Sequence, residues 1–154
     1  YPISPEAAKR GVENTRWHGR LETVAHRPEV IVDGACNIGA MMAVRDYLLS
    51  RGTPERTVAL VAMCRDKDMR ETLEILGEAT SRMVFTRVRN PRAMEADGLA
   101  GLAPRGAETW IETEPADALR KAVELAGPEG TVIVAGSLYL VGDIFRIYGI
   151  AEGE

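Results

Sequence analysis

The chain has 154 residues, of which 45% are hydrophobic and 27% are charged, and its formal net charge at pH 7 is -4. This length and composition fit one globular domain with its own hydrophobic core. The mild negative charge argues against a surface that binds nucleic acid or an anionic membrane. No stretch approaches the roughly 20 apolar residues of a membrane span, and no basic leader with an apolar segment predicts a secretory signal.

The two cysteines, Cys36 and Cys64, are far apart in the sequence. They form no close-spaced pair, and no cluster of His and Cys has the spacing of a zinc site. We therefore expect two free thiols in a reducing cytoplasm and no metal site. Because both cysteines follow apolar strands, a disulfide or a shared metal is the less favoured alternative.

The hydrophobic pattern predicts helices and strands in alternation. Ser4 and Pro5 suit the N-cap and first turn of a helix that ends by Asn14. After a short strand over 21–25, the predicted strands are 30–32, 57–63, 82–88, 108–112 and 131–135. The helices between and after them are predicted over 38–51, 69–77, 93–102, a segment around 119–126, and 138–148.

About five strand–helix repeats with short connections favour an α/β domain: a mostly parallel central sheet with helices on both faces. We expect this domain to run from residue 20 to residue 154. Residues 1–19 would be the end of a preceding domain and a linker. The chain opens on Tyr1 rather than on methionine, which suggests a piece of a longer or processed protein.

Polar residues follow the predicted strands, and in such a sheet they gather along the edge where ligands bind. An anion there would also meet free N–H groups at helix N-termini. A purely structural interpretation competes with this one. Asn37 stands directly before a predicted helix, so helix capping is its leading role, and Asp33 could cap the same helix. The residues at this edge are 33–37, 64–68, 89–90 and 136–137.

Several nucleotide and hydrolase motifs are missing from the sequence. It contains no Gly-x-x-x-x-Gly-Lys-[Ser/Thr] loop for a triphosphate and no Gly-x-Gly-x-x-Gly after a strand. It has no Gly-x-Ser-x-Gly elbow either. Ser137 lacks an evident base, since the two histidines, His18 and His26, do not follow a strand at the ligand edge. A Ser or Cys nucleophile is therefore disfavoured.

Five short motifs in order resemble the folylpolyglutamate synthase/dihydrofolate synthase family, whose members are ATP-dependent ligases related to the Mur ligases. The likeness covers nearly the whole chain but only the C-terminal, Rossmann-like domain of that family. Each motif is weak alone, and the five together are fairly specific. They are Trp17-His18-Gly19-Arg20-Leu21, Asp33-Gly34-Ala35-Cys36-Asn37, Arg65-Asp66-Lys67-Asp68, Asn90-Pro91-Arg92-Ala93 and Gly136-Ser137-Leu138-Tyr139.

The resemblance implies an amide-forming reaction. In the family, ATP phosphorylates a carboxylate of the folate or dihydropteroate substrate, and the amine of L-glutamate attacks the acyl phosphate. The phosphate loop and the Mg²⁺ ligands lie on the N-terminal ATPase domain of the same chain. The C-terminal domain closes over ATP and contributes contacts to it and to the amino acid. No catalytic residue is thus expected in this chain, and alone it is expected to be inactive.

The resemblance also implies roles for single residues. Arg20 matches an arginine that contacts ATP, and Asp33 matches an acidic residue that contacts the nucleotide, plausibly through ribose hydroxyls. A guanidinium suits this role because it stays charged and offers several donors. Trp17 would belong to the hinge and pack against the sheet or the preceding domain. Four further residues are expected to contact substrate or to position turns: Cys36, Asn37, Lys67 and Ser137.

The chain departs from the family pattern at four places. Cys36 replaces a histidine, Ile38 and His18 replace prolines, and Ala62 replaces a glycine. A cysteine cannot carry a positive charge, so a cationic or proton-carrying role of that histidine is in doubt here.

Two rival hypotheses remain beside the ligase. One is a stand-alone module, derived from such a domain, that binds a nucleotide or a protein. The other is an NAD-dependent oxidoreductase, against which the missing glycine fingerprint counts.

Overall fold

The computed structural model describes residues 2–15, 17–52 and 54–150. Its elements in chain order are α1 (Pro5–Asn14), β1 (Glu22–His26), β2 (Glu29–Val32), α2 (Ile38–Ser50), a 3-10 turn (Pro54–Arg56), β3 (Thr57–Val61), α3 (Met69–Gly77), β4 (Arg82–Phe85), α4 (Ala96–Ala100), β5 (Glu108–Ile111), α5 (Pro115–Ala126), β6 (Thr131–Ala135) and α6 (Leu138–Tyr148).

The six strands form one sheet in the order β1-β2-β6-β3-β4-β5. The pairs from β2 to β5 are parallel, and β1 is antiparallel to β2. β6 is the last strand in the chain, yet it lies between β2 and β3. The predicted fold class is confirmed: a three-layer α/β domain with a mostly parallel sheet.

Helices cover both faces of the sheet because alternate side chains of each strand point to opposite sides. On one face, Ile31 and Ile133 pack with Met41, Leu73 and Leu99, which come from α2, α3 and α4. On the other face, the valines of β2 and β6 pack with residues of α5 and α6. These residues include Val30, Val132, Ala118, Leu140 and Ile144.

Two strands are shorter than the apolar pattern predicts. β3 ends at Val61 because its partner β6 leaves the ladder after Ala135, although 62–63 stay buried. β4 likewise ends at Phe85 rather than at residue 88. Buried residues continue beyond the end of each ladder, so hydrophobicity alone overestimates the length of both strands.

The helix predicted over 93–102 is shorter in the structure, where only α4 is helical. The first residues of the predicted helix instead pair with the loop that follows β3. Ala93 bridges Cys64, and Met94 N–H donates to the carbonyl of Met63 at 2.9 Å. These bonds hold 93–94 extended against the chain that follows β3.

The first helix begins as predicted. Ser4 Oγ accepts a hydrogen bond from Ala7 N–H at 3.2 Å, and Pro5 is the first helical residue. Within the described ranges, every helix is too short or too polar to cross a membrane.

Candidate functional site

The site lies at the carboxyl edge of the sheet, around β6 and its two neighbours. After β2 the chain turns to the face covered by α2, whereas after β6 it turns to the face covered by α6. Such a divergence opens a crevice in parallel α/β sheets, and ligands bind in it. Three of the four polar segments predicted to meet at this edge contribute residues to one cavity, namely 33–37, 64–68 and 136–137, whereas Arg89 of the fourth pairs with Glu114.

Arg20 and Asp33 are neighbours. Arg20 Nη1 lies 3.8 Å from Asp33 Oδ1, and the two side chains are 47% and 8% exposed. The loop of Arg20 is tied to this strand end, since Gly34 N–H donates to the carbonyl of Gly19 at 2.8 Å. The guanidinium thus faces solvent beside the crevice, where an anionic group can reach it.

Asp33 is occupied by backbone groups. Its Oδ1 accepts from Ala35 N–H at 2.7 Å, and its Oδ2 accepts from Leu21 N–H at 2.9 Å. It does not cap α2, which is the alternative that the sequence left open. The carboxylate holds the turn after β2 and the loop of Arg20 together, and its contact with a nucleotide stays a prediction.

Asn37 and Ser137 both cap helices. Asn37 Oδ1 accepts from Ala40 N–H at 2.9 Å at the start of α2, which confirms its predicted capping role. Ser137 Oγ accepts from Tyr139 N–H at 3.2 Å at the start of α6. A hydroxyl group keeps its own proton while it accepts, so Ser137 can still donate to a ligand.

Gly34 permits the close approach of these segments. A methyl group added at Gly34 would lie 2.2 Å from Leu138 Cδ2 and 3.0 Å from Arg20 Nη1. The loop of Arg20, the turn after β2 and the start of α6 therefore meet at one glycine, which brings Arg20, Asp33 and Ser137 to the same rim.

A cavity of about 380 Å³ opens at this rim. Three of the predicted residues line it, namely Cys36, Lys67 and Ser137. Arg20, Asp33 and Asn37 are outside its lining. The remaining lining residues are Cys64, Asp66, Arg92, Gly136, Leu138 and Tyr139.

Arg92 is the main cavity residue to which the sequence analysis assigned no role. Arg92 Nη1 lies 3.1 Å from Asp66 Oδ2. A hydrogen bond with Tyr139 and then the charge of Asp66 raise the pKa of Arg92 above its ordinary value. The available signal was the Asn90-Pro91-Arg92 motif, in which Asn90 Oδ1 accepts from Arg92 N–H at 2.8 Å and fixes the turn.

The charges in the cavity suit a small anion. Lys67 Nζ lies 3.8 Å from Asp66 Oδ2, so Asp66 is shared between Lys67 and Arg92. One carboxylate cannot neutralise two cations, and the excess positive charge favours a carboxylate ligand. Cys36 is partly exposed, whereas Cys64 is buried, and both thiols are free.

A second hollow of about 380 Å³ lies on the other side of Arg20. It is lined by Thr15, Trp17, His18, Arg20, Glu22 and Thr23. Trp17 is 70% exposed, which excludes the sheet as the first of its two predicted packing partners. Its contact with a preceding domain stays a prediction.

Known proteins identify the family. A model of the family described as "Mur ligase, glutamate ligase domain" matches residues 19–138. The chain belongs to this family. The resemblance drawn from the five motifs is thereby confirmed.

Relatives of this Mur ligase domain include folate enzymes. The chain is 28% identical over 142 residues to the dihydrofolate synthase/folylpolyglutamate synthase of Bacillus subtilis, covering 92% of the chain and 33% of that protein. It is 33% identical over 143 residues to a probable bifunctional folylpolyglutamate synthase/dihydropteroate synthase of Haloferax volcanii, covering 92% and 17%. The chain thus spans a third or less of these relatives.

Solved structures agree with the fold. The bifunctional folylpolyglutamate synthase/dihydrofolate synthase of Yersinia pestis, complexed with AMPPNP and Mn ion, is 27% identical with a TM-score of 0.84. Escherichia coli FolC in complex with DHPP and ADP is 25% identical with a TM-score of 0.85. Each match covers 97% of this chain and 35% of the other.

Within the described residues, no group of three or more His, Cys, Asp or Glu side chains is placed to hold a metal ion.

Proposed function

We propose that this Mur ligase domain is the C-terminal part of an ATP-dependent ligase that adds L-glutamate to folate or dihydropteroate. It contributes contacts for ATP and the amino acid and does not catalyse the reaction alone. The observation that carries the proposal is the convergence of Arg20, Ser137 and Arg92 at one sheet edge, in a chain of this family.

The nucleotide contact is assigned to Arg20. Its guanidinium is about half exposed and is anchored from behind by the buried Asp33 carboxylate. A planar cation with fixed direction suits the oxygens of a phosphate group or a ribose. When bound, ATP supplies the phosphoryl group that activates the acceptor carboxylate, and Mg²⁺ is expected to be held by the preceding domain.

The amino-acid contact is assigned to the cavity. Arg92 and Lys67 offer cations for the carboxylates of glutamate, and the Ser137 hydroxyl offers a donor. Cys36 stands where the family has histidine. The side chain on this wall of the cavity is therefore smaller than an imidazole and carries no positive charge. A cavity of about 380 Å³ lies within the usual range of small-molecule sites.

The remaining partner is an N-terminal ATPase domain of the same chain. We assign residues 1–19 to the end of that domain and the linker, and 20–154 to this domain. The exposed Trp17 indole at the linker gives the preceding domain an apolar surface to cover. The two free thiols favour a cytoplasmic enzyme.

The test is glutamate-dependent ADP release by the protein expressed from its complete coding frame. We expect release that requires ATP, L-glutamate and either folate or dihydropteroate. Arg20→Ala should raise the KM for ATP about tenfold, as expected for loss of a charge-assisted hydrogen bond.

Arg27→Ala is the matched control, because Arg27 is exposed and pairs with Glu129 at the opposite edge of the sheet. Its KM for ATP should stay within about twofold of the wild-type value. Absence of glutamate-dependent ADP release would contradict the ligase and favour a stand-alone binding module. Equal effects of the two variants would contradict the role of Arg20.

A further inference from the structure

The turn that carries Arg20 is held in an uncommon backbone conformation. Leu21 has a φ of 43°, in the left-handed region that costs a branched L-residue about 1–2 kcal/mol. Such a conformation persists only where surrounding contacts fix it. The neighbouring residue, Arg20, owes its direction to this turn, because a change in φ at Leu21 would rotate the backbone between Arg20 and β1.

Two carboxylates accept hydrogen bonds from backbone N–H groups of this turn. Asp33 Oδ2 accepts from Leu21 N–H at 2.9 Å, and Glu22 Oε2 accepts from Gly19 N–H at 2.8 Å. Glu22 Oε1 also lies 3.1 Å from His18 Nδ1. The His18 ring packs edge-on against the ring of Phe145, with 6.0 Å between the ring centroids. The residues on both sides of Arg20 are thus fixed by acceptors.

We propose that Glu22 is a positioning residue for Arg20: its carboxylate fixes the 18–20 turn and thereby aims the guanidinium at the nucleotide. The ion pair of Arg20 is with Asp33, whereas the structure gives Glu22 bonds to Gly19 N–H and to His18. Glu22 therefore acts through the backbone and not by direct charge.

The position of Glu22 agrees with this role. It is the first residue of β1, and its side chain is 28% exposed, so it sits between the sheet and the hollow beside Trp17. A charged acceptor on a backbone N–H is stronger than a neutral one, and shielding from water strengthens it further. The inference rests on the proposed contact of Arg20 with ATP.

The experiment compares three variants of the full-length protein. Glu22→Ala removes both bonds, and Glu22→Gln keeps one oxygen that can accept from Gly19 N–H. Glu108→Ala is the control, since Glu108 is likewise the first residue of an edge strand and is exposed. The readouts are the Kd for ADP, the KM for ATP and for glutamate, and amide hydrogen exchange over 17–22.

For Glu22→Ala we expect faster exchange of the Gly19 amide. ADP binding should weaken about tenfold, the loss expected when one charged hydrogen bond, here from Arg20 to the nucleotide, is no longer made. The KM for ATP should rise in proportion, while the KM for glutamate should not change. Glu22→Gln should recover most of the ADP affinity, and Glu108→Ala should match the wild type.

The outcomes separate this inference from the proposed function. Wild-type ADP affinity in a folded Glu22→Ala protein would overturn the positioning role even if the enzyme is active. An equal rise in both KM values would point to a general structural effect and would also overturn it. Weaker ADP binding by Glu22→Ala than by the wild type, in a protein whose wild type shows no ligase turnover, would support the positioning role and reject the ligase.

Discussion

At the scale of single residues, Asp33 shows that a side chain matched to a ligand contact can also hold the fold together. Asp33 accepts two backbone N–H groups and pairs with Arg20, all while buried. A carboxylate of this kind determines where the loop of Arg20 lies. The shape of the site therefore depends on Asp33 whether or not Asp33 touches a nucleotide.

Asp33→Asn should lower the free energy of unfolding of this chain by about 2 kcal/mol. The amide has one acceptor oxygen, so either Leu21 N–H or Ala35 N–H would face an NH₂ group. Urea denaturation followed by circular dichroism gives the value. Asp46→Asn, at an exposed carboxylate that pairs with the half-buried Arg45 on α2, should cost about 0.5 kcal/mol or less. Equal costs would contradict the buried role of Asp33.

Gly136→Ala should be strongly destabilising, by about 3 kcal/mol or more. Gly136 has a φ of 96°, and an added methyl group would lie 2.5 Å from the carbonyl oxygen of Ala62. Gly106 has a φ of 83° with nothing within 4 Å, so Gly106→Ala isolates the backbone strain, about 1 kcal/mol. Thermal or urea unfolding of both variants tests the difference, and similar losses would argue against the clash.

At the scale of secondary-structure elements, the helices that border the site differ in how they begin. α2 and α6 are capped by the side chains of Asn37 and Ser137. α3 begins after Asp68, whose side chain makes no capping hydrogen bond. The caps fix the turns after β2 and β6, which are the two turns that diverge to form the crevice.

Asn37→Ala should lower the free energy of unfolding by about 1 kcal/mol, because Ala40 N–H loses its acceptor. Asn37→Asp should retain it, since a carboxylate caps as well and suits the helix dipole. Asp68→Ala provides the comparison and should cost only a few tenths of a kcal/mol. A cost for Asp68→Ala as large as that for Asn37→Ala would contradict this assignment of caps.

At the scale of the whole molecule, the domain carries one side of a proposed cleft. Arg20 and Arg92 are exposed along one sheet edge, where Ser137 lies buried beneath them, and Trp17, Leu138 and Tyr139 expose apolar surface there. In the proposed enzyme, the preceding domain covers this rim and supplies the phosphate loop and the metal ligands.

The chain alone should bind ATP weakly, with a Kd above about 100 µM, and should release no ADP with folate and glutamate. Its rim offers cations to the nucleotide, but the phosphate loop and the metal ligands of the proposed site are assigned to the preceding domain. Calorimetric titration with and without Mg²⁺ measures the affinity, and a coupled ADP assay measures turnover. Tight Mg²⁺-dependent binding, or turnover, would show that the domain is sufficient without a partner.

The sequence by itself determined the fold class and the bounds of β6 and α6, because apolar period and turn chemistry are local properties, and the resemblance of its five motifs indicated the family. It also placed Asp33 and Ser137 at one edge, since strand ends converge in any parallel sheet, whereas Arg20 was assigned to the same site by the family resemblance. It overestimated the lengths of β3 and β4, because the end of β3 depends on where β6 leaves the ladder and the end of β4 depends on its pairing with β3 and β5.

Only the tertiary structure decided which polar groups are already hydrogen-bonded within the domain and which can still contact a ligand. Both oxygens of Asp33 are taken by N–H groups from two segments, Arg92 is turned into the cavity beside Tyr139, and Glu22 holds the turn before Arg20. The contacts of Asp33 with Leu21 and of Arg92 with Tyr139 join residues far apart in the chain, and the Glu22–Gly19 bond depends on the left-handed turn at Leu21, so the apolar pattern does not encode them.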